Sequence, residues 1–502
     1  MSPRKADPIV IVGSGIFGLS TALHLARRGY TDVTVLDRQP CDKLQYSYFQ
    51  GADGASADIN KIVRSAYGAQ TEYQMLSVEA IAGWKQWNQE LAAGTTTPPG
   101  LGRSDRVFVP NGNISLSTAE TLPPWEVACI EGMEKAGQPD VMLDTTNPRH
   151  CKVAADKGMS FAMDPFHREK RAKPNVGVLD ATGGMAVADK ACRFALHKAR
   201  ELGVKFIFGP EEGYFEAFCY ERGSASSSGA SQRVIGVRTR DGKTHKAAMT
   251  LMACGGWTPV LVPQLDGLCE ATAGSVALLK IPRDSPLWPR LSPDNFPTWT
   301  WNMRNGAEGG LYGFPRDDNG WFKVGYRGAK YTNPVKHSDG RERSTPATRW
   351  SPAHVDGRRR VGENLTDFPK QAHKVITQFL DEYLPELAEE GIKISMTRIC
   401  WYTDTFDNHF VVDRVPKTEG LMVATGGSGH AFKYLPNIGN WVVDVMEGVD
   451  LSRPAIQAWR WRSLDHANPV NELMTGSAGT RALGNIPLLK GSAITQPSHA
   501  RL

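Results

Sequence analysis

The sequence predicts two interleaved domains, one α/β with a parallel sheet and one α+β with a mixed sheet. Three observations carry that expectation. The apolar run PIVIVG (8–13) passes directly into the glycine turn GSGIFG (13–18) and an amphipathic helix. Strand-like runs that end in glycines return far downstream, at ACGGW (253–257) and LMVATGG (421–427). Between them lie short aromatic-rich strands, WTWNM and GWFKVGYR, of the kind that build a separate sheet. At 502 residues the chain also exceeds what one ordinary core accommodates.

The elements follow in order. Ile16, Leu19, Ala22, Leu23 and Ala26 recur at helical spacing up to Arg27-Arg28-Gly29, and a second strand, Val33 to Leu36, ends in Asp37. Strand, glycine turn, helix, strand and acid is the dinucleotide-binding pattern. Gly13 permits the tight turn, Gly15 lets a pyrophosphate approach the backbone, and Gly18 lets helix and strand pack closely. Ser14, Ile16 and Phe17 complete a helix start whose free N–H groups suit a phosphate. Asp37, followed by Arg38, would accept from ribose hydroxyls.

Helical stretches are expected at about 71–92 and 184–202, the second leading into VKFIF (204–208). CYERGSASSSGASQR (219–233) reads as a mobile surface loop. RVIGVRTR and KAAMTLMAC flank the turn Asp241-Gly242, residues 331–363 look like an irregular insertion, and a helix follows at about 367–386. A last helix begins near Pro436, with Ile438, Val442 and Met446 facing a core. No internal repeat is visible. The expected division is 1–100, 177–265 and 395–460 for the dinucleotide domain, and 101–176 and 266–394 for the second domain. Residues 461–502 form a C-terminal extension, expected to be partly disordered.

Composition narrows the function classes. Fifty-eight basic against 53 acidic residues leave a net charge of +5, too mild at this length to indicate nucleic acid or a membrane surface. No apolar run approaches the ~20 residues of a membrane-spanning helix, and the N-terminus enters a strand without a signal-type apolar region. The eight cysteines are scattered, with no CxxC spacing and no histidines clustered near them. A metal site and a disulfide scaffold are therefore not expected, and a reducing compartment fits better. Ala500-Arg501-Leu502 resembles the peroxisomal C-terminal address, so a peroxisomal import receptor is a candidate partner; otherwise the expected location is cytoplasmic.

The glycine turn alone serves FAD and NAD alike. Two dinucleotide elements at opposite ends of the chain, with a sheet domain spliced between, fit an FAD-containing amine oxidase better than a nicotinamide dehydrogenase. At this point the chain resembles the monomeric sarcosine oxidase group of flavoprotein amine oxidases, which includes amadoriases (fructosyl amino acid oxidases) and L-pipecolate and L-saccharopine oxidases. The matching segments are IVGSGIFGLSTALHLARRG, ADINKIVRSAYG (57–68), GLYGFP with FKVGYR (310–327), CWYTDTFDNHFVVD (400–413) and GGSGHAFKYLPNIG (426–439). They span most of residues 8–460.

The resemblance implies a Rossmann-like FAD-binding domain interleaved with a mixed-sheet substrate domain, as in D-amino-acid oxidase and sarcosine oxidase. By itself Cys400 reads as a small buried hydrophobe; the resemblance makes it the thioether tether of a covalent FAD. Lys323 becomes the cation near flavin N5 that favours oxygen reduction, and Lys61 a second basic residue by the ring. Arg64 and Lys433 become the pair that binds a substrate carboxylate, with Lys433 also beside the cofactor. Tyr402 and His430 would shape the amine pocket, Gly255 and Gly429 would lie against the cofactor, and the helix near Pro436 would point its N-terminus at the pyrimidine.

The implied reaction takes hydride from the carbon next to an amine nitrogen, gives an imine that is hydrolysed or captured in ring closure, and reduces O₂ to H₂O₂. An N-methyl or cyclic secondary amino acid is the expected substrate, with a role in secondary metabolism and a monomeric state. Fructosyl amino acids remain an alternative. However, where amadoriases carry an acid for the sugar hydroxyls this chain has Arg327, which cannot accept a hydrogen bond. A redox-silent flavin-binding scaffold is the alternative from another class; retention of Lys323, Cys400 and the carboxylate pair argues against it.

Overall fold

The computed structural model describes residues 2–222, 232–347, 367–465 and 471–490. Its first core is a six-stranded sheet in the order Val411–Arg414, Leu421–Thr425, Met249–Met252, Ile9–Val12, Val33–Asp37, Lys205–Phe208. All neighbours are parallel except the first pair. Ile9–Val12 is buried along its whole length, which is why it reads as an unbroken apolar run rather than an alternating one. Ile9 and Ile11 pack against the helices Ile16–Arg27, Thr71–Ala93, Ala188–Glu201 and Ile438–Glu447, while Val10 and Val12 pack on the opposite face. There they meet the antiparallel strands Phe215–Tyr220 and Gln232–Thr239.

The second core is an eight-stranded sheet, ordered Ile394–Thr405, Cys269–Lys280, Trp321–Tyr331, Leu311–Phe314, Thr298–Trp301, Asn113–Ser117, Val176–Asp180, Met142–Asp144. The helix Lys370–Tyr383 covers it through Phe379, which stacks with Trp299 and Tyr383, while Phe166 meets Phe379 and Tyr383 edge-on in the same buried aromatic cluster. A three-stranded sheet (Asn60–Val63, Gly184–Val187, Phe108–Val109) stands beside them.

Boundaries read from the sequence differ from the observed elements at several points. The border drawn at 177 falls inside the strand Val176–Asp180, and that drawn at 395 cuts the strand Ile394–Thr405; both strands belong to the eight-stranded sheet. Secondary-structure periodicity does not report which sheet a strand joins. The helix expected from 184 begins at Ala188, because Gly184–Val187 pairs with both Asn60–Val63 and Phe108–Val109. Within the C-terminal extension Leu488–Leu489 pairs with Phe368–Pro369, and Leu483 donates its N–H to the Thr332 carbonyl. Part of the irregular insertion is a hairpin, Pro334–Lys336 with Glu342–Ser344. The Ser/Gly stretch 223–231, the rest of the insertion from 348 and the terminal tripeptide lie outside the described residues.

Candidate active site

A cavity of about 910 Å³ is walled by residues of both large sheets and runs from the glycine turn to Cys400. At its first end Gly13 to Phe17 form the wall. Gly13 takes φ +103°, and a Cβ there would lie 2.4 Å from the Ala253 carbonyl; a Cβ on Gly18 would lie 1.8 Å from the Gly13 carbonyl. Only glycine permits either approach. Gly15 caps the helix Ile16–Arg27 without a side chain, so no side-chain cap covers its first N–H groups at the wall. Asp37 is fixed across the turn: Ser14 donates to it from its N–H (2.8 Å) and its hydroxyl (2.9 Å), and Gln39 N–H donates to the other oxygen at 2.8 Å. Arg38 lies over the Trp257 ring at 4.7 Å, and Gly255 turns the chain at φ +55°. A glycine cradle, uncapped helix N–H groups and an oriented acid are the donor set of an FAD pyrophosphate and ribose, and the residues fit that group.

At the other end the strand Ile394–Thr405 brings Cys400 and Tyr402 to the wall, with Cys400 opposite Gly274. Cys400 is buried, and Arg398 Nη2 lies 3.7 Å from its sulfur. Arg327 donates to the Tyr402 hydroxyl at 3.3 Å and to the carbonyls of Gly429 and Ser428 at 3.3 and 3.4 Å. Arg64 also lines the cavity.

The glycine turn 426–429 delivers His430 and, through the short turn Phe432–Tyr434, Lys433. Lys433 donates to the Tyr67 hydroxyl at 2.6 Å, Tyr67 meets His430 Nδ1 at 2.9 Å, and His430 Nε2 meets the Asn408 carbonyl at 3.1 Å. A carbonyl only accepts, so Nε2 carries the proton and Nδ1 accepts from Tyr67. Burial, and after it the charge of Lys433, keeps His430 well below its usual pKa and neutral. Burial, and next Arg64, pulls Lys433 well below the ordinary lysine value.

The FAD-dependent oxidoreductase family matches residues 8–445. This chain belongs to that family. Among relatives of this oxidoreductase, L-saccharopine oxidase of Schizosaccharomyces pombe is 29% identical over 464 residues, covering 92% of this chain and 94% of the relative. N-methyl-L-tryptophan oxidase of Salmonella enteritidis is 23% identical over 442 residues, covering 88% and 94%. Among solved structures, the fructosamine oxidase Amadoriase II of Aspergillus fumigatus in complex with FSA matches at TM-score 0.65 and 26% identity, covering 92% of this chain and 91% of that one.

Within this oxidoreductase the residues singled out from sequence mostly converge. Gly13, Ser14, Gly15, Ile16, Phe17, Asp37, Arg38, Lys61, Arg64, Gly255, Cys400, Tyr402, Gly429, His430 and Lys433 all line the one cavity. Lys323 does not. Its ammonium is fully buried behind the wall, donating to Asp58 Oδ1 and to the Asn60 carbonyl, both at 2.8 Å. Asp58 also binds Lys61 and faces Arg398 Nη2 at 3.4 Å, so three cations share one carboxylate. Burial alone would raise that carboxyl, but Lys323, Lys61 and Arg398 outweigh it and hold it well below the usual carboxylate range. Of these three cations, Lys61 is the one that reaches the cavity wall.

The expected helix near Pro436 begins at Ile438, and none of its residues lines the cavity. Gly439 N–H is taken by Ser20 Oγ at 2.8 Å, so the wall is made by the turn 427–433 instead. Sequence reading passed over Asp58 and Tyr67. Asp58 had a signal, standing three residues before Lys61 in ADINKIVR; Tyr67 had none beyond its place in the same segment. Among the described residues no group of His, Cys, Asp and Glu could hold a metal ion, and no helix is long and apolar enough to cross a membrane.

Proposed function

We propose that this chain is an FAD-dependent amine oxidase that oxidises the C–N bond of a secondary amino acid derivative to an imine with release of H₂O₂. The observation that carries the reading is a single cavity joining a dinucleotide cradle to a cationic, aromatic pocket at Cys400, Tyr402 and His430. The names of the relatives, oxidases of L-saccharopine and N-methyl-L-tryptophan, point to secondary amines of amino acids. When bound, FAD accepts hydride from the carbon beside nitrogen and hands both electrons to dioxygen.

The chain's own residues hold the substrate and keep its amine neutral. Arg64 and Lys433 take the carboxylate, a planar fork beside a point charge. Tyr67 orients His430 from one side and Asn408 from the other, which fixes a neutral imidazole next to the reacting nitrogen. Lys61 on the wall, with Lys323 and Asp58 behind it, keeps positive potential where oxygen is reduced. Cys400 is the position for a thioether tether to the flavin, which would make FAD a stronger oxidant. The Ala500-Arg501-Leu502 end is read as a peroxisomal address, a sensible location for a peroxide producer, and the imine is read as hydrolysed or captured in ring closure within secondary metabolism.

Fructosyl amines fit less well, because Arg327 offers only donors to sugar hydroxyls. Anaerobic mixing with N-methyl amino acids, pipecolate, saccharopine and fructosyl-glycine tests the reading. At least one secondary amino acid should bleach the flavin band, and air should restore it with one peroxide per turnover. Bleaching by fructosyl-glycine alone would overturn the substrate class, and bleaching only by a reduced nicotinamide would overturn the oxidase reading.

A further inference from the structure

A line of oxidisable rings leaves the cavity at Tyr67 and approaches the surface at Trp441. Tyr67 stands on the cavity wall, its ring stacked on that of Tyr73 with centroids 5.3 Å apart. Tyr73, in the helix Thr71–Ala93, lies 6.4 Å from Trp459, and Trp459 lies 5.7 Å from Trp441 in the helix Ile438–Glu447. Trp459 also donates its indole N–H to the Tyr73 hydroxyl at 3.0 Å. Tyr67, Tyr73 and Trp459 are almost fully buried; Trp441 is 9% exposed and bonds to Glu79, an exposed residue.

Packing alone explains a cluster of buried rings. It does not explain the hydrogen bonds on these. A phenol or indole that gives up an electron becomes a strong acid, so its oxidation is eased where a base stands ready to take the proton. Three of the four rings have such a base: Tyr67 donates to His430 Nδ1 at 2.9 Å, Tyr73 meets His409 Nδ1 at 3.2 Å, and Trp441 donates its N–H to Glu79 Oε2 at 3.1 Å. The Tyr73 oxygen already accepts from Trp459, which leaves its hydrogen for His409. Burial keeps both imidazoles below their ordinary pKa, hence neutral and able to accept. Arg453 lies 4.7 Å over the Trp441 ring, but its charge is answered by Asp444 at 2.9 Å.

We infer that Tyr67, Tyr73, Trp459 and Trp441 form a route by which one-electron oxidising equivalents leave the flavin cavity for the protein surface. This rests on the amine oxidase reading, which puts flavin and peroxide in that cavity, and adds a protective function to it. A hydroxyl radical derived from peroxide takes one electron from Tyr67, whose phenol proton passes to His430. Tyr73 then refills Tyr67, the proton returns from His430, and the proton of Tyr73 goes to His409. Trp459 and Trp441 repeat the exchange outward, and Trp441 releases its proton to Glu79. A thiol in solution gives Trp441 one electron and the solvent one proton, and Glu79 hands its proton back. The net exchange turns one hydroxyl radical and one thiol into water and a thiyl radical.

Laser-flash photolysis of the oxidised holoenzyme without amine tests the route, with light-excited flavin as the one-electron oxidant. Wild type should show a long-lived tryptophanyl radical absorbance that added thiol quenches. Trp441→Phe and Trp459→Phe, neither at a cavity-lining position, should each lose it while keeping the wild-type rate of flavin reduction by amine. A second measurement needs no variant: after prolonged amine turnover, peptide mass mapping should find added oxygen at Trp441 in preference to Trp125 and Trp401, which line the cavity itself. No radical in wild type, a radical that survives both substitutions, or oxygen added chiefly at Trp125 and Trp401 would overturn the route and leave the oxidase reading standing. A protein that binds no flavin would instead remove the reading on which the route rests.

Discussion

Asp58 is fully buried, with Lys61, Lys323 and Arg398 converging on its two oxygens. Removing its charge leaves Lys61 and the fully buried Lys323 without their carboxylate and leaves the fully buried Arg398 only Asp53, 4.0 Å away. Asp58→Asn should therefore cost about 3–5 kcal/mol in denaturant unfolding, the scale of a broken buried pair. Lys323→Met removes one of the cations that share it and should be milder, while slowing flavin reoxidation by O₂ more than reduction by amine; stopped-flow traces of the two half-reactions separate them.

Tyr67→Phe removes the two buried hydrogen bonds that link Lys433 and His430 and should lower kcat/KM by roughly tenfold or more. Lys433 also sets a pH limb. In the proposed carboxylate role only its ammonium form binds, and burial together with Arg64 depresses its pKa. Substrate affinity should thus fall as pH rises, starting below the ordinary lysine value, and Lys433→Met should flatten that limb in a KM–pH profile.

Among the elements, the helices Ile16–Arg27 and Ile438–Glu447 set how the two ends of the chain close the FAD-binding domain. They cross at Gly439, where a Cβ would lie 2.0 Å from the Ser20 carbonyl. Because the obstacle is backbone, Gly439→Ala should force the helices apart and destabilise by at least the ~1–3 kcal/mol of an overpacked core. Reduced flavin retention, read as the ratio of visible to ultraviolet absorbance, should accompany it.

At this scale the sequence was legible wherever a local rule speaks. The turn at Gly13 to Gly18, the helix over 71–93 and the core-facing Ile438, Val442 and Met446 all follow from spacing and steric need. Gly184–Val187 was not legible, since its four residues sit against a strong helical pattern and its partners are distant in sequence. Lys323 shows the same limit in the site: its strand was readable, but whether its ammonium meets the cavity or Asp58 is decided by a residue 265 positions away.

Across the whole molecule the strands Val176–Asp180 and Ile394–Thr405 both join the eight-stranded sheet, and no composition change marks it in the sequence. The C-terminal segment 471–490 carries its few apolar residues, among them Leu473, Leu483 and Leu489, without period, and they pack onto the rest of the chain all the same. Truncation after residue 470 should lower Tm by several degrees without abolishing flavin binding, measured by calorimetry and absorbance, because the segment leans on the substrate domain and not on the dinucleotide cradle.

The most direct measurement of the flavin arrangement is the intact mass of the acid-denatured chain, taken together with its colour. Wild-type protein should weigh one FAD more than its sequence and give a yellow precipitate, while Cys400→Ser should return to the sequence mass and leave its yellow in the supernatant. A wild-type chain at its bare sequence mass, colourless in both fractions, would contradict a flavin seated against Cys400.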